Sequence, residues 1–210
     1  MDTVFTIGYS GFNINEFLDT IKKYNISCII DVRSNPFASE YHKDFSRNIL
    51  EPILKENNIL YLNYAREFGA KQNNIDFFSN EGYLDFQLFI NSKEFSDGVR
   101  KIRNGIEKKY IIVLMCAEKD PINCHRSIMV AHGLTKHGFN IENILSDGSL
   151  QNQNDIEKKL LNMYFPNKGQ LSLLEEPESD DELIEKAYKL RNKNMGYMIE
   201  DNKIDDLYTF

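Results

Sequence analysis

The sequence predicts an α/β protein: a mainly parallel sheet with helices on both faces, plus a C-terminal tail. Three observations carry this expectation. Short β-branched apolar runs end in polar residues, as in SCIIDV at 27–32 and YIIVLMC at 110–116, the pattern of buried parallel strands. Between such runs, apolar residues recur at helical spacing. From about Lys168 the character changes to LLEEPESDDELIEKAYKLRNKN, acidic and then mixed. The chain is therefore read as an α/β domain over 1–167 and an acidic, partly helical extension over 168–210. No site residue is expected in the extension.

Each element has a local reason. Thr3 to Tyr9 is a short buried strand punctuated by Gly8 and Gly11. Asn13 and Glu16 have the spacing of a capping box, and Phe17, Leu18, Ile21 and Tyr24 mark an amphipathic helix over 14–24. Ser27 to Val32 is a strand, followed by an irregular stretch at 34–44 of the length that often serves function. Ser46 caps a helix over about 47–57, and Leu60 to Asn63 is a third strand. A second long connection, 64–81, carries Arg66, Gly69 and Lys71. Helical patterns cover 82–91 and 94–108, then comes the strand at 110–116. A helix from Cys124 to His137 stops at Gly138, a suitable C′ residue. Asn140 to Leu145 is the last strand expected, with a helix over 154–164 and a weak helical pattern from Asp181 to Arg191.

Composition narrows the function classes. With 41% hydrophobic and 27% charged residues among 210, the chain reads as an ordinary water-soluble domain. No apolar run approaches the roughly 20 residues of a spanning helix, and MDTVFTIGYS has neither the basic nor the apolar region of a secretory signal. A net charge of −7 argues against tight non-specific DNA binding, so nucleic acid is possible but not favoured as a partner. Three cysteines do not make a disulfide framework, which points to a reducing cytoplasm.

The densest chemistry lies in IIVLMCAEKDPINCHRSI at 111–128, a strand-to-helix junction of the kind where ligands bind. The candidate catalytic residues are Cys116, Cys124, His125 and Glu118. Cys124 is expected near N1 of the helix, where the dipole favours a thiolate, with His125 and Arg126 beside it. Cys116 fits a nucleophile, a resolving thiol or a buried spectator. Glu118 and Asp120 fit either a general base or acceptors for loop N–H groups. Arg33, Arg66 and Arg126 are expected to converge on a phosphate- or nucleotide-like anion, with Ser127, Tyr9 and Ser10 lining the same pocket. The bland alternative is that Arg33 pairs with Asp31 or Glu118 and that both thiols are simply packed. His42 and Tyr41 fit a lid, His132 a packed face and His137 a helix C-terminus. Cys116-x7-Cys124-His125 offers three metal ligands, with His42 or Cys28 as a conceivable fourth. That spacing lacks the short knuckle of common zinc sites, and Cys28 reads as core, so no metal site is assigned. No cofactor is named by these residues.

TIGYS at 6–10, DVRSNP at 31–36 and LMCAEKDPINCHRS at 114–127 resemble, in order, the signature blocks of the DUF488 family. The resemblance spans about residues 3 to 148 and implies the fold and the location of a site rather than a reaction. One departure is Gly69-Ala70, where that family often carries paired glycines. The Asp-Val-Arg strand end and the strand–Cys–loop–Arg-Ser–helix unit are also similar, at fold level, to rhodanese-type domains. The C-x9-R spacing is too long for their tight anion loop. The expectation is an enzyme acting on an anionic or sulfur-containing substrate, against a non-catalytic anion-binding module or a nucleic-acid-associated accessory protein.

Overall fold

The computed structural model describes residues 2–166 and 178–199. Six strands form one sheet in the order β3-β2-β4-β1-β5-β6. These are β1 Thr3–Gly8, β2 Cys28–Asp31, β3 Leu60–Asn63, β4 Ile112–Cys116, β5 Asn140–Ile144 and β6 Leu150–Asn152. The first five run parallel, and β6 returns antiparallel along β5. The sequence does not announce β6: Leu150–Asn152 is too short to show alternation, and only its pairing with Glu142–Ile144 makes it a strand.

Helices α1 (Ile14–Lys23) and α2 (Arg47–Glu56) cover one face. Ile7, Ile29, Val113 and Met115 point to that face and pack on Phe17, Ile21, Leu50 and Leu54. The opposite face takes Cys28, Ile30, Leu114 and Cys116, the alternate residues of the same strands. It is covered by α4 (Phe86–Ile90), α5 (Lys93–Glu107) and α7 (Gln153–Tyr164). A short helix, α3 (Ala65–Phe68), follows β3 and packs on α5. Cys28, 2% exposed, is core as its place in an apolar strand predicts, and burial pushes its thiol up to about 12.

Local signals hold in detail at several points. Asn13 and Glu16 form the expected capping box, with Asn13 Oδ1 accepting from the Glu16 N–H at 3.0 Å. Gly138 takes φ +83°, a left-handed conformation that favours glycine. Ser46 stands at the N-cap of α2, but its hydroxyl accepts from the Ala38 N–H at 2.9 Å and caps nothing. The 34–44 stretch thereby becomes anchored to α2.

The helix expected from Cys124 to His137 departs from a plain α-helix. Its first part, Arg126–Ala131, is a π-helical turn that runs into α6, His132–Lys136. Cys124 itself is extended, at φ −128° and ψ 136°, so it stands just outside the helix and not at N1. The extension after 168 also contributes more than expected. Helix α8, Asp180–Met195, packs on α7 and α4. Buried Asn192 accepts from the Phe86 N–H and donates to the Leu84 carbonyl, both at 2.9 Å. Residues 168–177 and 200–210 of the extension lie outside the described residues. No helix among the described residues is long and apolar enough to cross a membrane.

Candidate functional site

β4 lies between β2 and β1, so the carboxyl ends of three strands stand side by side. Gly8 pairs with Cys116, and Asp31 with Met115, at one rim. The residues that follow are Tyr9-Ser10, Val32-Arg33 and Ala117-Glu118, which meet because chain order reverses across this part of the sheet. A cleft of about 370 Å³ opens there, lined by Tyr9, Arg33, Lys71, Glu118, His125 and Tyr197 among others.

Its floor holds a cluster of sulfur, carboxylate and imidazole. Oε2 of Glu118 accepts from Cys116 Sγ at 3.0 Å and from Cys124 Sγ at 2.8 Å. Nδ1 of His125 lies 3.7 Å from Cys116 Sγ. Nε2 of the same ring is 3.1 Å from the carbonyl oxygen of Val32. These four side chains place one donor atom each within 4.8 Å of one another. Cys116 and Cys124 are 2% and 0% exposed, whereas Glu118 is an exposed residue whose carboxylate turns inward. His42 and Cys28, the conceivable fourth ligands, take no part; Glu118 stands in that place. The gathering depends on how the loop folds back and not on a short ligand spacing in the sequence.

Burial pushes both thiols up. For Cys116 burial wins, reinforced by the neighbouring Cys124 and Glu118. For Cys124 the hydrogen bond with Cys116, the Arg126 guanidinium and His125 outweigh burial and bring the thiol well below its usual range. Glu118 is held above the ordinary carboxylate value, first by burial of its carboxylate and then by Cys124. One proton can be shared among close acids in this way, so the group behaves as a unit.

The three arginines have different fates. Arg33 spends its Nε and Nη2 on buried Asp31, at 2.9 and 2.6 Å, and Nη2 also donates to the Phe45 carbonyl. Its Nη1 has no hydrogen-bond partner, and the residue lines the cleft. Burial disfavours its charge, but Asp31 outweighs that and holds it firmly protonated. Arg126 is fully buried under the loop: Nη1 donates to the Glu118 carbonyl at 2.5 Å, and Nε lies 3.4 Å from Thr6 Oγ1. It clamps the loop carrying Glu118. Arg66 is exposed on α3 and is not among the residues lining the cleft. The convergence of all three guanidiniums expected from sequence is thus replaced by one cleft arginine and one buried clamp.

The remaining candidates divide similarly. Tyr9 lines the cleft, its ring stacked on Phe45 at 4.6 Å with the Arg33 guanidinium 5.0 Å above. Ser10 donates to the Ala117 carbonyl at 2.5 Å. Ser127 is buried against Gln153 Oε1 at 3.3 Å, so its hydroxyl packs the helix and does not line the cleft. Asp120 caps the turn after it by accepting from the Ile122 N–H at 3.2 Å. His42 approaches the Tyr9 ring at 5.7 Å, while Tyr41 is 96% exposed. Met195 and Tyr197 reach the cleft from the C-terminal extension, where no local pattern marks them.

Residues 13–132 match the model of a family described as Domain of unknown function DUF488. No curated protein and no solved structure matches the chain.

Proposed function

The chain belongs to the DUF488 family, whose model covers more than half of its 210 residues, and on that premise we propose that it is an enzyme acting on a small anionic substrate. Its reaction centre is the cluster of Cys116, Glu118, Cys124 and His125, and Arg33 is the anchor for the substrate's negative charge. The observation that carries this reading is the shared contact of Glu118 Oε2 with both thiols, on the floor of an open cleft. A carboxylate, an imidazole and two sulfurs in mutual contact supply proton transfer and a nucleophile or ligand at one point. The unpartnered Nη1 of Arg33 favours an anion, because a buried guanidinium N–H without an acceptor gains most from a charged one. The substrate class is phosphate-bearing or nucleotide-like, with sulfur-containing small molecules the other chemistry suited to the thiols. A reducing compartment keeps all three cysteines free, and the reading places the protein in the cytoplasm.

Sealing of both sulfurs favours a second reading, an anion-binding regulatory module, since a nucleophile must be reached. One experiment separates the two. The full chain is incubated with a panel of phosphorylated, sulfated and thiol-containing small molecules, with turnover and binding both followed by NMR. Saturable turnover that falls at least about 100-fold in Glu118→Gln supports the enzyme. Binding without turnover supports the module. Absence of both overturns the site.

A further inference from the structure

We propose that the cluster is a zinc site, with the ion held by Cys116 Sγ, Cys124 Sγ, His125 Nδ1 and Glu118 Oε2. The inference deepens the reading above and rests on it only for the use of the ion in a reaction.

Four features support it. The donor set is two sulfurs, one imidazole nitrogen and one carboxylate oxygen, a mixture suited to zinc and poorly suited to magnesium or calcium. Tetrahedral zinc with bonds of about 2.0–2.3 Å separates its ligands by roughly 3.3–3.8 Å. His125 Nδ1 already lies 3.7 Å from Cys116 Sγ. Glu118, at 3.0 and 2.8 Å from the sulfurs, has to withdraw by less than an ångström, and it is the exposed member; all four donor atoms lie within 4.8 Å of one another, so any wider spacing closes by about 1 Å at most. Next, the Val32 carbonyl accepts from His125 Nε2 at 3.1 Å, which leaves the Nδ1 lone pair facing the sulfurs. Metal-bound histidines are oriented by such a second hydrogen bond.

The third feature is rigidity. Cys116 ends β4, Cys124 precedes the π turn, and Arg126 clamps the intervening loop through the Glu118 carbonyl. The ligands are thus positioned before any ion arrives. Fourth, the sulfurs are sealed from solvent, which suits ligands better than attacking groups. Two thiolates and a carboxylate also crowd three acidic groups together, and a dication with the nearby Arg126 guanidinium offsets that charge. The three buried ligands and one cleft-side carboxylate leave a position where water or a substrate oxygen displaces Glu118.

The test uses the full chain, treated with chelator and titrated with Co²⁺ and then Zn²⁺. We expect one equivalent of cobalt to bind, with thiolate-to-cobalt charge-transfer absorption and the visible bands of a tetrahedral ion, and zinc to bleach both. Cys116→Ser and Cys124→Ser abolish the charge-transfer signal or reduce it to the remaining sulfur, Cys28→Ser leaves it unchanged, and Glu118→Gln weakens affinity at least about tenfold. Should the serine variants not fold, alkylation of the unaltered chain with and without zinc, read by peptide mass mapping, replaces them. With enough urea present to let the alkylating agent reach both thiols of the metal-free chain, zinc protection of Cys116 and Cys124 then supports the site, and equal labelling overturns it. No charge-transfer signal in folded protein, or one that survives loss of both cysteines, likewise overturns the zinc site. Turnover by metal-free protein would then leave the reaction centre standing without zinc. Zinc bound without turnover of any panel compound would keep the metal and remove the enzyme.

Discussion

Nε2 of His125 lies 3.1 Å from the carbonyl oxygen of Val32, a residue 93 positions earlier in the chain. A carbonyl only accepts, so Nε2 carries the hydrogen and Nδ1 presents a lone pair to the sulfurs when the ring is neutral. The contact ties the start of the π turn to the end of β2, and it decides what the imidazole offers the cluster.

The tautomer is directly observable. Nitrogen-15 NMR of the histidine-labelled, metal-free protein should show His125 protonated at Nε2 and bare at Nδ1 wherever the ring is neutral. Finding the hydrogen on Nδ1 would show that the ring donates to sulfur and that Val32 does not orient it.

Asp31 is fully buried and accepts from Arg33 and from the Tyr61 hydroxyl, the latter at 2.6 Å. Asp31→Ala strands the Arg33 charge in the core, and we expect a loss of about 3–5 kcal/mol in urea unfolding. Tyr61→Phe removes one hydrogen bond to a charged group and should cost less, roughly 1.5–3 kcal/mol. An Asp31→Ala chain as stable as the original would mean that the pair contributes nothing.

Gly8 ends β1 directly beneath the Glu118 loop. A Cβ placed there would overlap the Glu118 carbonyl oxygen and stand 2.9 Å from Arg126 Nη1. Backbone on one side and a fully buried guanidinium on the other leave nothing free to yield. Gly8→Ala should displace the loop and abolish any ligand binding at the cleft, while far-UV circular dichroism stays close to that of the original chain. Unaltered binding would show that the loop tolerates displacement.

Acid should release α8. His132, buried in a second cavity of about 310 Å³ between α4, the π turn and α8, stacks on Tyr188 with centroids 3.6 Å apart. Glu185 lies 3.5 Å from its ring and is paired at 2.9 Å with Lys136; Lys186, Lys189 and Asp85 also border the cavity. Burial lowers the His132 value despite Glu185, so the unfolded chain takes up this proton first as pH falls below about 6.5. Glu185 is depressed to about 2, chiefly by its close approach to the His132 ring, so its contribution fades from about pH 4.5 downward. It is half-exposed, and its share is small. The contribution of this pair is therefore full above about pH 6.5 and declines below it. Thermal melts across this range should show that decline, and His132→Phe should remove its upper part; an equal slope in both proteins would assign the loss elsewhere.

Much of the fold was legible because its causes are local. The Asn13–Glu16 box, the left-handed Gly138 and the five parallel strands each depend on residues a few positions apart, or on alternation within one segment. β6 and the π turn were not legible, since both answer to packing partners distant in the chain. The cleft was legible as a location, through Cys116, Cys124 and His125, but not in its occupants: Met195 and Tyr197 arrive from an extension whose sequence carries no sign of them.

By itself, the sequence determined the five parallel strands and most of the helices, and that thiols, an imidazole and guanidiniums stand near strand ends. Tertiary structure decided what each group does there. Inserting β4 between β2 and β1 brings the ends of three strands to one rim, and the burial that follows sets the roles. Arg126 is sealed under the loop as a clamp, Arg33 at the cleft wall keeps a buried Nη1 without a hydrogen-bond partner, and Glu118 turns inward onto both sulfurs. The physical reason is that a side chain's protonation and partners depend on the dielectric and donors around it, which the chain acquires only when residues far apart in order are packed together.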